Sequence, residues 1–263
     1  MWISLYISDD ISRSKDTVSF NERSVVIEDL YNKLLKEQNV KVKGIKKVSI
    51  LITCKSGDEF IGGPIKGLIP VASYHKDYDL NAFSELVDNK KNLEILNLID
   101  EGMIKLSNAL QWGINEVVKK IYRQIIEIDF LHKYFEVDLK LSSDKKRKAG
   151  VEVTMRDGYA QISLYLENIE SGEVTILPII KVHSNRMFIK QIVARAKWIN
   201  NNQFLVTNKT GEVGFCTSVD ELKTDLFFTP KNHSEAQLVN ELLIAVSPID
   251  EHLLGILMKK KRG

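Results

Sequence analysis

The residues best placed to do chemistry at close spacing are those of "SYHKDYDLNAF", where His75 has Asp77 and Asp79 beside it and Tyr74 and Tyr78 interleaved. An imidazole and two carboxylates could hold a divalent cation. Such a site also needs a second histidine one helical turn away, or a compact histidine and aspartate cluster, and neither is present. The more economical reading makes Asp79 a helix N-cap and Asp77 an exposed turn residue. Tyr74, His75, Asp77 and Tyr78 then form a candidate loop for contact with a partner. No metal ligand and no cofactor is assigned.

A second group is the basic burst of "SSDKKRKAGVEV", with Lys145, Lys146, Arg147 and Lys148 in a row. With "MKKKRG" at the end of the chain it could add salt-sensitive contacts to a polyanion. It has no interleaved aromatics for base stacking and lies on no reading helix. Solvated charge in a hairpin loop is therefore its primary role, with Gly150 meeting special backbone geometry there. Contact with an acidic protein surface comes second and nucleic acid third. Nearby, Arg156, Asp157 and Tyr159 span the turn "RDGY", where the alternation turns Tyr159 outward. Trp112 and Trp198 stand at element ends, where a ring can be buried while its N–H reaches an acceptor, and Trp198 is also a candidate contact.

Elsewhere the spacing argues against familiar catalysis. The glycines of "GDEFIGGPIKG" match neither the dinucleotide nor the phosphate-loop pattern, and Pro64 lacks an N–H that such a loop uses, so a hairpin is expected. Ser184 and His183 are adjacent, which points their side chains apart on a strand, and no nucleophile elbow is present. His132 is expected at a helix C-terminus, where a partly positive ring is favoured. His233 and His252 stand alone. Asp9 with Asp10 follows a strand, Glu28 with Asp29 suits a first helical turn, and Asp100 with Glu101 belongs to a polar helix face. Cys54 and Cys216 lie far apart in apolar strand-like runs, as two buried free thiols do. No catalytic residue is assigned.

The elements that carry these groups follow from the apolar period. "MWISLYISDD" alternates Trp2, Ser4, Tyr6 and Ser8 against Ile3, Leu5 and Ile7, a strand that begins close to residue 1. "SVVIEDLYNKLLKEQN" puts Ile27, Leu30, Tyr31, Leu34 and Leu35 on one helical stripe, with Asn39 as its stop. "KKVSILITCK" returns to strand. After a short helix and a polar break from Asp88 to Lys91, Asn92 caps a longer helix. Its stripe is Leu93, Leu96, Ile99, Met103, Leu106 and Leu110, and Gly113 ends it. Asn115 caps the next helix, which turns Val118, Ile121, Tyr122, Ile125 and Ile128 inward.

From Phe135 the period falls to two. Phe135, Val137, Leu139 and Leu141 share a face, followed by Val151, Val153 and Met155, then by Ile162, Leu164 and Leu166. Further strands over "PIIKVH", "RMFIKQIVARAKWI", "QFLVTN" and "EVGFCTS" are parted by links too short for crossover helices. "SEAQLVNELLIAV" closes as a helix with Ser234 and Gln237 as a capping box, and Pro248 follows it. The predicted fold is α+β. Residues 1–132 form an α/β part with a central helical hairpin, and residues 133–263 a mainly antiparallel β-meander with a C-terminal helix.

A chain of 263 residues can bury a sizeable core without metal or disulfide. Lys plus Arg number 37 against 35 for Asp plus Glu, a formal charge of +2, so the surface as a whole does not track nucleic acid. The first residues lack the basic head of a signal peptide, and no apolar run is long enough for a membrane helix. A cytoplasmic protein without membrane contact is expected.

The layout of "YDLNAFSELVDNKKNLEILNLIDEGMIKLSNAL", then "FEVDLKLS", a loop and "GVEVTMRDGYAQISLYLE", resembles that of immunity proteins encoded beside polymorphic bacterial toxins. The resemblance covers about residues 74 to 170. It implies a stoichiometric, non-enzymatic inhibitor whose protein partner is a cognate toxin domain. The formal charge of +2 departs from the acidic surface expected of an inhibitor of a basic nuclease. Two other readings stand beside it: an enzyme acting on a nucleotide or nucleic acid at "HKDYD", and a nucleic-acid-binding or defence-associated structural protein using "KKRK".

Overall fold

The alternating "WISLYI" folds as strand β1 (Trp2–Ile7), with Ile3 and Leu5 buried and Trp2 in solvent. The structure, a computed structural model, describes residues 1–7, 15–53, 60–62, 70–156, 159–184, 186–246, 250, 253–255 and 257–258. The readings made for Asp9, Asp10, Cys54, Asp157, Pro248, His252, the tail from Lys259 and most of "SGDEFIGGPIKG" lie outside the described residues. The fold is α+β, with helices and antiparallel sheet pairing. The chain divides into two compact units, Met1–His132 and Lys133–Gly263. Among the described residues no helix is long and apolar enough to cross a membrane.

In the first unit, β1 is followed by α1 (Lys15–Glu37), β2 (Lys47–Thr53), β3 (Phe60–Gly62) and β4 (Val71–Asp77). Then come α2 (Leu80–Glu85), α3 (Asp88–Ala109) and α4 (Asn115–Glu127). The sheet order is β1-β2-β4-β3, with β1 and β4 parallel to β2 and β3 antiparallel to β4. The helical stripes meet this sheet: Leu30 and Tyr31 of α1, Ile99 and Met103 of α3, and Val118 and Ile121 of α4 join Ile50 and Tyr74 in one core. Burial of each such side chain contributes about 1.5–3 kcal/mol. Gly102 lets α3 lie close, since a Cβ there would stand 2.8 Å from Ile50 Cδ1 and 2.9 Å from Tyr74 Cδ1.

Helix boundaries in this unit differ from the expectation. Helix α1 already runs from Lys15, so Glu28 sits mid-helix rather than in a first turn, and burial pushes its carboxyl up to about 8. Helix α3 starts at Asp88 behind an N-cap of Val87, which leaves Asn92 inside it. The polar "DNKK" forms the first turn of α3, where the acidic Asp88 suits the helix dipole and meets Arg23 of α1 at 2.8 Å. Asn115 is the first residue of α4 and Ile114 its N-cap, with no side-chain cap. Ile128, expected inward, is exposed.

Three helices end alike, with a left-handed residue whose successor donates back into the last turn. Asn39 (φ 51°), Gln111 (φ 55°) and Asp129 (φ 48°) take that position. The N–H groups of Val40, Trp112 and Phe130 donate to the carbonyls of Leu35, Ser107 and Ile125 at 3.0, 2.9 and 3.1 Å. Asn39 is thus the stop of α1, while α3 stops at Gln111 and not at Gly113.

The second unit carries two sheets. The first, β5-β6-β7-β8, comprises β5 (His132–Leu141), β6 (Arg147–Arg156), β7 (Tyr159–Asn168) and β8 (Val174–His183). The second, β12-β11-β10-β9, comprises β9 (Arg195–Asn200), β10 (Gln203–Thr207), β11 (Val213–Ser218) and β12 (Lys223–Phe228), with every pair antiparallel. Helix α5 (Arg186–Ile192) occupies the start of "RMFIKQIVARAKWI", which was expected to be strand throughout. Its Ile189 and Ile192 are both buried, and a short apolar run does not reveal which period it will follow. His132 lies buried at the start of β5 instead of ending a helix. Helix α6 (Glu235–Val246) begins at the expected capping box, with Ser234 N donating to Gln237 Oε1 at 2.8 Å and Gln237 N to Ser234 Oγ at 3.3 Å.

Candidate binding face and basic cleft

The "SYHKDYD" group is dispersed by its own strand. Tyr74 is fully buried and its hydroxyl donates to Glu101 at 2.9 Å, so it offers no surface, which corrects its reading as a contact residue. Lys76 pairs with the same carboxylate. His75 is half-buried, Asp77 is exposed, and Tyr78 packs beside the core with its ring 6.5 Å from that of Phe20. Asp79 is the N-cap of α2, its carboxylate accepting from Asn81 N at 2.9 Å. Among the described residues no group of three or more His, Cys, Asp or Glu could hold a metal ion.

The basic burst is half strand and half loop. Lys145, left-handed at φ 59°, and Lys146 are exposed in the connection, while Arg147 and Lys148 open β6. Arg147 pairs with Asp220 at 2.7 Å and Lys148 with Glu167 at 3.1 Å. Two of the four charges are therefore answered within the fold. Trp198 is fastened similarly: its Nε1 donates to Lys140 O at 2.8 Å and its ring meets Phe204 edge-on at 5.2 Å. Cys216 is half-buried rather than buried, a free thiol pushed up by burial and then by Asp225.

One face of the β5–β8 sheet collects what is left exposed. Gly150 stands opposite Tyr165, and Tyr165 opposite Ile176, so all three positions share a face. Gly150 has no positive φ; its role is space. A Cβ there would lie 2.9 Å from Leu139 Cδ2 and 3.0 Å from Val137 O, and across the gap the Phe135 ring meets Tyr165 edge-on at 5.2 Å. Phe135, Leu139, Leu141, Val174 and Ile176 are between 38% and 54% exposed. Alternation places Arg156 and Tyr159 on this face at one end, with the Lys181 ammonium 5.3 Å from the Tyr159 ring centroid. The Lys148 and Glu167 pair lies on it at the other end. The result is an apolar centre within a charged and aromatic rim.

A cleft of about 560 Å³ opens elsewhere in the same unit. Its walls carry four cations, Lys140, Arg195, Lys197 and Lys231, and three hydroxyls, Thr207, Thr210 and Thr229, with Leu205 and Phe227 as apolar floor. Among the described residues no carboxylate lines it. Arg195 faces Thr207 and Lys197 faces Leu205 across the β9 and β10 pair. Lys140 is drawn to β9 by its 2.7 Å hydrogen bond to Ala196 O.

Two loops form one side of the cleft, and Glu212 ties them together. Its Oε1 accepts from the N–H groups of Lys231, Asn232 and His233 at 2.6, 2.6 and 3.1 Å, and its Oε2 meets His233 Nδ1 at 2.8 Å. These hydrogen bonds, led by that from Asn232, hold the Glu212 carboxyl well below the usual range. The Asn208 side chain organises the other loop, accepting from Thr210 Oγ1 at 3.0 Å and from Gly211 N at 2.9 Å. Sequence reasoning passed over Glu212, Arg195, Lys197 and Lys231, none of which belongs to a local motif. No family model matches the chain, and no curated protein or solved structure is similar to it.

Proposed function

We propose that this chain is a non-enzymatic, immunity-like inhibitor that covers a partner toxin domain with the exposed face of its β5–β8 sheet. The reading rests on one observation: Phe135, Leu139, Tyr165 and Ile176 form an apolar centre with Lys148, Arg156 and Tyr159 at its rim. Interfaces place apolar and aromatic anchors at a desolvated centre, where they carry affinity, and charges at the rim, where they set register and rate. We read the consecutive strands of this unit as an antiparallel meander, which presents such a face as one surface. Inhibition is steric, in the cytoplasm, with no turnover.

The enzyme reading at "HKDYD" has less support, because Asp79 is engaged as a cap and Tyr74 lies in the core. The nucleic-acid reading of "KKRK" is weakened by the ion pairs of Arg147 and Lys148. The test is capture of partners by the tagged chain from its source organism, followed by calorimetric titration with any toxin domain recovered. A 1:1 complex that abolishes the toxin's activity is expected. Phe135→Asp with Ile176→Asp should weaken it by about a hundredfold while leaving the melting temperature near that of the wild type. Absence of a complex, or a complex indifferent to both changes, would sink the proposal.

A further inference from the structure

We propose that the cleft between β9, β10 and the loop after β12 binds a small phosphate-bearing molecule with an apolar or planar body. This is independent of the sheet face assigned to a protein partner. Four cationic side chains converge on the cleft, and none of the four is paired with a carboxylate among the described residues. Like charges brought together repel, and an anion between them removes that penalty. Arg195 and Lys197 project from the same side of β9, spaced two apart, so both reach one ligand. The guanidinium of Arg195 offers a planar fork for two phosphate oxygens, with Thr207 opposite it as a hydroxyl donor.

The site is held in place before any ligand arrives. Lys231 rides on a loop whose N–H groups are fastened to the buried Glu212, and that carboxylate's charge is answered by His233 and by the same N–H groups. Lys140 is oriented by Ala196 O. Leu205 and Phe227 supply the floor for the uncharged part of the ligand. A volume of about 560 Å³ suits a molecule of mononucleotide size. A single strand would instead need a groove of basic and aromatic side chains running well beyond one such cleft.

The test titrates the full chain by calorimetry with adenosine monophosphate, adenosine, inorganic phosphate and a single-stranded oligonucleotide. Adenosine monophosphate is expected to saturate the chain, inorganic phosphate to compete with it, and adenosine not to bind. Arg195→Glu with Lys197→Glu should weaken binding by about tenfold or more, and added salt should weaken it in the wild type. Should that variant fail to fold, Lys231→Gln on its exposed loop carries the same expectation. Lys145→Ser with Lys146→Ser, and Phe135→Asp with Ile176→Asp, should leave this binding unchanged, which separates the cleft from the protein-binding face. No uptake of adenosine monophosphate or phosphate, binding that ignores the cleft substitutions, or affinity that climbs with oligonucleotide length would each overturn the proposal.

Discussion

A carboxylate taken wholly out of water destabilises a fold unless its oxygens find donors, and Glu212 meets three N–H groups and an imidazole. The same contact holds the His233 ring above its ordinary value. The stability that His233 contributes is full below the ordinary histidine value and is lost as pH rises through the raised one. For Glu212, held low, the contribution is full above the ordinary carboxylate range and is lost as pH falls through the lowered value. Glu212→Gln should therefore lower the melting temperature at neutral pH, with the difference from wild type shrinking in strong acid, as thermal melts across a pH series will read. Tyr31 is the opposite case. Among the described residues its buried hydroxyl has no hydrogen-bond partner, and Tyr31→Phe should raise stability by about 1 kcal/mol in denaturant melts.

At the scale of the element, the proposed binding face depends on how β5 lies against β6. Gly150 leaves the room that Leu139 and the rings of Phe135 and Tyr165 use. Gly150→Val should cost about 1–3 kcal/mol through crowding and speed hydrogen exchange of the β5 amides ahead of those of β7. Much at this scale was legible from period alone. The stripe from Leu96 to Leu106, the inward Val118, Ile121 and Ile125, and the Ser234 cap all stand where local pattern puts them. Element starts were less legible. Val87 and Ile114 precede helices without side-chain caps, so the better capping residues downstream, Asn92 and Asn115, were misleading. Helix α5 was hidden for another reason, since seven residues hold too few turns to display a period.

Over the whole molecule, the half-buried Glu28 ties stability to pH. Its carboxyl rises from an ordinary 4.5 to about 8 through burial, so across that window the folded chain keeps a proton that the unfolded chain has released. Stability therefore falls as pH rises through the window, by an amount on the order of 1–3 kcal/mol at neutral pH. Glu28→Gln should flatten that fall and stabilise the protein at pH 8, which denaturant melts at pH 5 and pH 8 will check. The amino-acid sequence by itself determined the α+β character and the buried stripes, because burial of a helix or strand face is written in residues that follow one another at a period of 3.6 or 2. Tertiary structure alone decided which charges are answered and which converge. Arg147 finds Asp220, Lys148 finds Glu167, and Glu212 finds His233, while Lys140, Arg195, Lys197 and Lys231 remain together in the cleft. The physical reason is that a charge interacts with whatever lies within a few ångströms in space, and those neighbours are set by strand pairing and loop closure between residues far apart in the chain. The "KKRK" burst reads in sequence as solvated charge, and the fold pairs Arg147 and Lys148 while leaving Lys145 and Lys146 exposed.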